Sequence, residues 1–270
     1  MTSFVQPTPL LLIAGIGMMA VGMLPVLYWK RVTGVSWKIF GLGGVTWLSV
    51  TVMKATMDIF VTPSVAGAVQ GVSAVGSAAA YGLYVGLQTG LFDSGFTWIW
   101  ARRFRLFGAS YMDAVGFGLG FACVEAIALG FNNFLGVLEL VMNPSFFGTL
   151  DPAIQQALSA QYALGPALIG APILERTFAL FVDTFTVVLV FMAIKGAKGV
   201  FPLAVVYASI AELVAPLLNL GLSSTTIMGA YLLEAPYVLL GLIGVLGLMR
   251  SRQDPVFMEK PRRGAKPHAR

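Results

Sequence analysis

The sequence predicts an all-α, polytopic integral membrane helix bundle. Three observations lead there. Hydrophobic residues make up 57% of the 270 residues and charged residues only 11%, against about 25% charge in an average soluble domain. The mean hydropathy is +0.84. Apolar stretches of about 20 residues, the length an α-helix needs to cross a bilayer, recur along the whole chain. This pattern excludes a large soluble core. No phosphate-cradling loop, Gly-x-Ser-x-Gly or His-Glu-x-x-His motif occurs in the chain, and nothing points to nucleic acid.

About seven spans are expected. They are 9–28, 39–61, 65–92, 111–140, 166–194, 201–218 and 226–249. Residues 1–249 then form one transmembrane domain. The first stretch has no Lys or Arg before Lys30, unlike the basic start of a cleaved signal peptide, so it reads as a permanent anchor. The fourth stretch is long and contains Gly130-Phe131-Asn132-Asn133. It either breaks there, leaving Glu139 near the outer interface, or continues as a bent helix. In the third stretch Gly82, Gly86 and Gly90 repeat at the spacing of a close helix contact, expected within the chain.

Positive charge sets the orientation. The first connection carries Lys30, Arg31 and Lys38, the third Arg102, Arg103 and Arg105, and the fifth Lys195 and Lys198. The tail carries Arg250, Arg252, Lys260, Arg262, Arg263, Lys266 and Arg270. The alternate connections carry none, and basic flanks stay cytoplasmic. The N-terminus is therefore expected outside and the C-terminus in the cytoplasm, which needs an odd number of spans. The expected location is the cell membrane, as a multi-pass protein.

The outer loop, 143–165, holds the turn signals Asn143-Pro144 and Asp151-Pro152. A short surface helix is expected over 152–163. The tail, 250–270, is polar, basic and broken by Pro255, Pro261 and Pro267. It is expected to be disordered, with contact to anionic lipid head groups as a second reading. His268, the one histidine, reads as incidental. Cys123, the one cysteine, rules out an intramolecular disulfide and reads as packing.

The ionisable residues inside spans are Lys54, Asp58, Glu125, Glu175, Arg176, Asp183, Glu212 and Glu234. Each costs roughly 2.5–3.5 kcal/mol at the bilayer centre on insertion scales, so each needs a reason. At about 1.5 Å of rise per residue, Lys54, Glu125, Glu175, Arg176 and Glu212 share one level. Asp183 falls about two turns nearer the inside. Glu234 lies near the layer on the last span. Lys54 and Asp58 are spaced to pair within their helix. Glu175 and Arg176 are adjacent and point apart, so each needs a partner on another helix. Glu125 or Glu212 is the expected partner of Arg176. Two readings stay open: an ion-pair network that pins the bundle, or a site for a metal, a proton or a substrate. Gln70, Gln88, Asn132, Asn133, Thr184 and Thr186 read as hydrogen-bonding glue between helices.

Four stretches form an ordered series: GLQTGLFDSGFTW at 86–98, GLGFACVEAIALG at 118–130, ERTFALFVD at 175–183 and LAVVYASIAEL at 203–213. The series resembles the YhfC family of intramembrane metalloproteases, related to the type II CAAX proteases and the APH subunit of gamma-secretase. The resemblance covers roughly 37–218. The family pattern has paired glutamates and then an arginine in the first stretch, and a histidine before the glutamate in the second. It has a histidine after Glu-Arg in the third, and a histidine four before an aspartate in the fourth. Here those positions hold Asp93, Ser94 and Thr97, then Phe121, Asp183, Ala208 and Glu212. Glu125, Glu175 and Arg176 match.

The resemblance implies the fold and argues against the activity. A hydrolytic zinc needs three protein ligands, usually including histidine, and an open position. No expected span holds a histidine. Carboxylates alone suit magnesium, manganese or calcium. The first expectation is therefore a noncatalytic scaffold or binding subunit without a cofactor. Asp93, Glu125, Glu175, Asp183 and Glu212 would be vestiges of a site. Its partners would be the bilayer and other membrane proteins or a second copy. The alternatives are a protease whose carboxylates Asp93, Glu125, Asp183 and Glu212 hold a divalent metal, or a cation or proton carrier. The carrier lacks support from an inverted repeat.

Overall fold

The computed structural model describes residues 6–197 and 199–258. Lys198, the tail residues beyond Met258 and His268 lie outside the described residues. The α-helices are α1 Leu12–Thr33, α2 Trp37–Phe60, α3 Thr62–Ala68, α4 Ala74–Arg103, α5 Tyr111–Met142, α6 Pro152–Tyr162, α7 Gly170–Ile194, α8 Val200–Gly221, α9 Ile227–Leu233, α10 Ala235–Ser251 and α11 Pro255–Met258, so the described start of the tail is helical where disorder was expected. No strand occurs among the described residues.

Six segments are long and apolar enough to cross a membrane: Pro9–Thr33, Trp37–Phe60, Tyr111–Met142, Gly165–Ile194, Val200–Gly221 and Ile227–Ser251. The protein is an all-α polytopic membrane bundle, and its apolar outer faces meet lipid. The third expected span corresponds to α4, which is 30 residues long but is not among these six. Its Gly, Ser, Gln and Asp residues lower its apolarity.

The bounds of that span differ from the expected 65–92. The chain makes α3, turns through Gly71 at φ 85°, and restarts where the Ser73 hydroxyl accepts from Gly76 N–H. This N-cap fixes the start of α4. The helix then runs through Asp93 to Arg103, because a neighbouring helix supplies a cation for Asp93. The fourth span does not break at Gly130–Asn133. Instead α5 continues for 32 residues, and Gly130 serves contact: a Cβ there would stand 2.7 Å from the Gly15 carbonyl oxygen of α1. The last span is divided at Glu234, with Pro236 in the first turn of α10. The short helix expected over 152–163 is α6, capped by the Asp151 side chain.

Glycines set the helix spacing. Gly82, Gly86 and Gly90 of α4 lie against the backbone carbonyls of Leu213, Ser209 and Val205 in α8, so this ridge is an intrachain contact. Gly43 of α2 and Gly120 of α5 bring those helices together: a Cβ at Gly43 would collide with the Phe117 carbonyl oxygen, and one at Gly120 with that of Phe40. Between α5 and α7, the fully buried rings of Phe117 and Phe191 meet edge to face at 5.4 Å.

One end of the bundle gathers the basic helix ends. Trp29 Nε1 donates to the Met112 carbonyl at 3.1 Å. Lys195 Nζ donates to that of Ala109 at 3.1 Å, and the Tyr111 hydroxyl to that of Leu248 at 2.7 Å. These bonds hold the basic end of α1, the start of α5 and the ends of α7 and α10 together.

Close packing makes opposite demands at two glycines of α2. A Cβ at Gly41 meets nothing within 4 Å, whereas one at Gly43 meets backbone. Gly43→Ala is expected to lower the thermal midpoint in detergent, by the equivalent of about 1–3 kcal/mol of overpacking. Gly41→Ala should leave it unchanged or raise it by up to about 1 kcal/mol, through helix propensity. Equal melting of the two variants would contradict the contact.

Candidate functional site

The site begins at Arg176 of α7, which is only 5% exposed. A guanidinium carries its charge in every environment a protein offers, so its burial here requires anions. Arg176 Nη1 donates to Glu125 Oε1 of α5 at 2.7 Å. Its Nη2 donates to Glu175 Oε1, the residue before it. The guanidinium also lies over the Tyr237 ring of α10, 5.8 Å from the centroid. The Tyr237 hydroxyl in turn donates to Glu212 Oε1 of α8 at 2.7 Å. One cation thereby links four helices.

The second cation is Lys54 of α2, whose Nζ lies 3.4 Å from Asp93 Oδ1 on α4. The expected pairing of Lys54 with Asp58 is not formed. Asp58 is exposed and accepts from Thr62 Oγ1 at 3.1 Å. Asp93, with only 13% of its side chain exposed, has the greater need for a cation. Glu175 and Arg176 likewise do not both seek partners elsewhere, because the long arginine side chain reaches back to its neighbour.

Lys54, Asp93, Glu125, Asp183, Glu212 and Tyr237 line a cavity of about 40 Å³. That volume holds a water or two. Asp183 belongs to this cavity although counting rise placed it deeper, and Glu175 does not line it. Rise fixes position along a helix axis but not where tilted neighbours cross. Asp93 and Asp183 also border a tight seam with Thr97, Phe121 and Thr186. Ala208 lines the cavity beside Glu212. Thus the four stretches read from the sequence converge on one place.

Other candidates fall elsewhere. Glu234 sits at the α9–α10 junction and lines a separate cavity with Asn132 and Asn133. Gln70 lies in the turn before α4. Gln88, Thr184 and Thr186 are buried, as glue residues should be, yet the Gln88 Nε2 and both threonine hydroxyls have no hydrogen-bond partner among the described residues. Cys123 is half-buried. Tyr237, Trp47 and Thr89 line the site and were not read from the sequence. Nothing distinguishes Tyr237 from the apolar run around it except Pro236, which marks a helix start.

The donors present do not fit a hydrolytic zinc. Among the described residues no three His, Cys, Asp or Glu side chains are grouped to hold a metal ion. Phe121 and Ala208 stand at two of the positions where the resemblance places histidine. Glu125 is bound by Arg176, Asp93 by Lys54 and Glu212 by Tyr237.

A family model described as YhfC intramembrane metalloprotease matches residues 17–233. No curated protein and no solved structure matches the chain.

Arg176→Met leaves Glu125 and Glu175 without their cation. Breaking a buried pair from one side costs about 3–5 kcal/mol, so a large drop in thermal midpoint is expected. Adding Glu125→Gln to this variant should recover part of the loss, since it removes one uncompensated charge. Strict additivity of the two substitutions in detergent melts would show that the pair does not couple.

Proposed function

The chain belongs to the YhfC intramembrane metalloprotease family, and from that premise we propose that it is a noncatalytic member, a scaffold or binding subunit of a membrane assembly. One observation carries the reading: Phe121 and Ala208, beside the carboxylates where the four motifs meet, offer no metal donor at positions where the family resemblance places histidine. A protease of this kind needs carboxylates free to bind metal or move protons. Here Glu125 is also held by the Arg176 guanidinium, so the site offers neither histidine donors nor an unpaired carboxylate in the second motif. The polar layer then joins helices, and binding rather than cleavage is its function. The gathering of Lys30, Arg31, Lys195 and Arg252 at one end of the bundle supports a cytoplasmic C-terminus and an external N-terminus. The cell membrane is the proposed location.

A second reading is favoured by Asp183. Its carboxylate lines the cavity with three others and takes part in no ion pair or side-chain hydrogen bond described for the chain. In that reading Asp93, Glu125, Asp183 and Glu212 would hold a hard divalent cation, which would supply Lewis acidity to a bound peptide carbonyl.

Elemental analysis of protein purified without chelator separates the two. The expected result is no stoichiometric zinc, magnesium, manganese or calcium, together with a lowered thermal midpoint for Glu125→Ala. One equivalent of metal, accompanied by chelator-sensitive peptide cleavage that Asp183→Asn abolishes, would replace the scaffold reading with the enzyme.

A further inference from the structure

At the end of the bundle away from the basic helix ends lies a larger cavity, about 430 Å³. This is the size of a small-molecule site. It is walled by α1, α5, α7 and α9, and α6 contributes Leu158, Gln161 and Tyr162. The site is separate from the polar layer and does not rest on whether that layer is catalytic.

The lining is mostly apolar and contains one charged residue, Glu234. Its carboxylate makes no ion pair or hydrogen bond described for the chain. Asn133 also lines the cavity, and its amide oxygen is buried with no partner among the described residues. Gln161, by contrast, is already engaged through Nε2 with the Ser224 hydroxyl at 3.3 Å. Two free acceptors therefore face the cavity, the Glu234 carboxylate and the Asn133 amide oxygen, beside the side chains of Asn132 and Tyr162. Buried acceptors of this kind are normally matched by donors. The walls around them, including Leu158, Leu168 and Leu233, suit an apolar body.

We propose that this cavity binds an amphipathic primary amine, its ammonium on Glu234 and Asn133 and its hydrocarbon against the leucines. Two sources carry that chemistry: the ethanolamine head group of a membrane lipid and a free hydrophobic amine.

The test uses the full chain in phosphatidylcholine nanodiscs, with octylammonium, octanol and octanoate as probes of the thermal midpoint. Octylammonium should raise the midpoint saturably, and the two other probes should bind about tenfold more weakly or worse. Glu234→Gln should weaken octylammonium by a similar factor. Gly136→Leu provides a variant that keeps the fold. A Cβ at this cavity-lining glycine meets nothing within 4 Å, so leucine fills the space from the helix wall and gains helix propensity. It should abolish the shift without lowering the starting midpoint. Discs doped with phosphatidylethanolamine separate the sources: a raised midpoint and competition with octylammonium assign the lipid, and no change assigns the free amine. The proposal is overturned if wild type shows no saturable shift. It is equally overturned if octanol matches octylammonium, or if both variants bind as wild type does.

Discussion

The guanidinium of Arg176 is the group on which the interior depends. Almost no water reaches it, and its planar fork needs acceptors in fixed directions. Glu125 and Glu175 supply them, and the Tyr237 ring lies alongside. Each of these side chains then constrains another helix. Tyr237 positions Glu212, and Glu212 faces the cavity where Lys54 and Asp93 join α2 to α4. In lipid the helices gain little from hydrophobic contact with one another. Register must come from shape and polar pairing, and this network provides the pairing.

Shape comes from the glycines, and the two devices work together. An ion pair at 2.7 Å across two helices requires backbones that approach closely nearby. Gly118 lets α5 meet α7 so tightly that a Cβ would stand 2.7 Å from Thr184 Cα. Glu125 lies about two turns along α5 from that contact and Arg176 about two turns back along α7. Two helices running in opposite directions bring those positions face to face. The same logic joins α4 to α8 through Gly82, Gly86 and Gly90, with Asp93 less than one turn beyond the last of them.

Hydropathy made the membrane helices legible, because a spanning helix must be apolar over a fixed length. It misplaced the start of α4 because Val65 and Val69 are as apolar as a span, while the Gly71 turn and the Ser73 cap are single-residue signals. Pair spacing showed that Lys54 can reach Asp58. It could not show that Asp58 faces outward and Asp93 inward, since that depends on which faces of α2 and α4 meet. The convergence of Asp93, Glu125, Asp183 and Glu212 was legible through the motif series. Periodicity within any one helix says nothing about neighbours roughly 30 to 120 residues away. Tyr237 gave no signal, because a tyrosine in an apolar run is ordinary and its partner lies on another helix. The larger cavity was hidden for a related reason: Asn132 and Asn133 read singly as glue and Glu234 as a charge near the polar layer, and only the fold places them around one space.

The charge balance of the polar layer bears on the proposed loss of catalysis. Two cations, Lys54 and Arg176, face the carboxylates Asp93, Glu125, Glu175, Asp183 and Glu212. A metal entering the cavity would have to draw Glu125 from Arg176 and Asp93 from Lys54. The second step leaves Lys54 without its partner and the first leaves Arg176 with Glu175 alone, and breaking a buried pair from one side costs several kcal/mol. Neutral histidines would avoid that cost, since they bind metal without first holding an ion. Phe121 and Ala208 offer no such donor, and Phe121 packs into the seam beside Asp93 and Asp183. Among the described residues Asp183 pairs with no cation, and Glu212 holds a tyrosine hydroxyl. In the proposed reading, binding at this layer begins at these two carboxylates, while Arg176 and Lys54 hold the others to neighbouring helices.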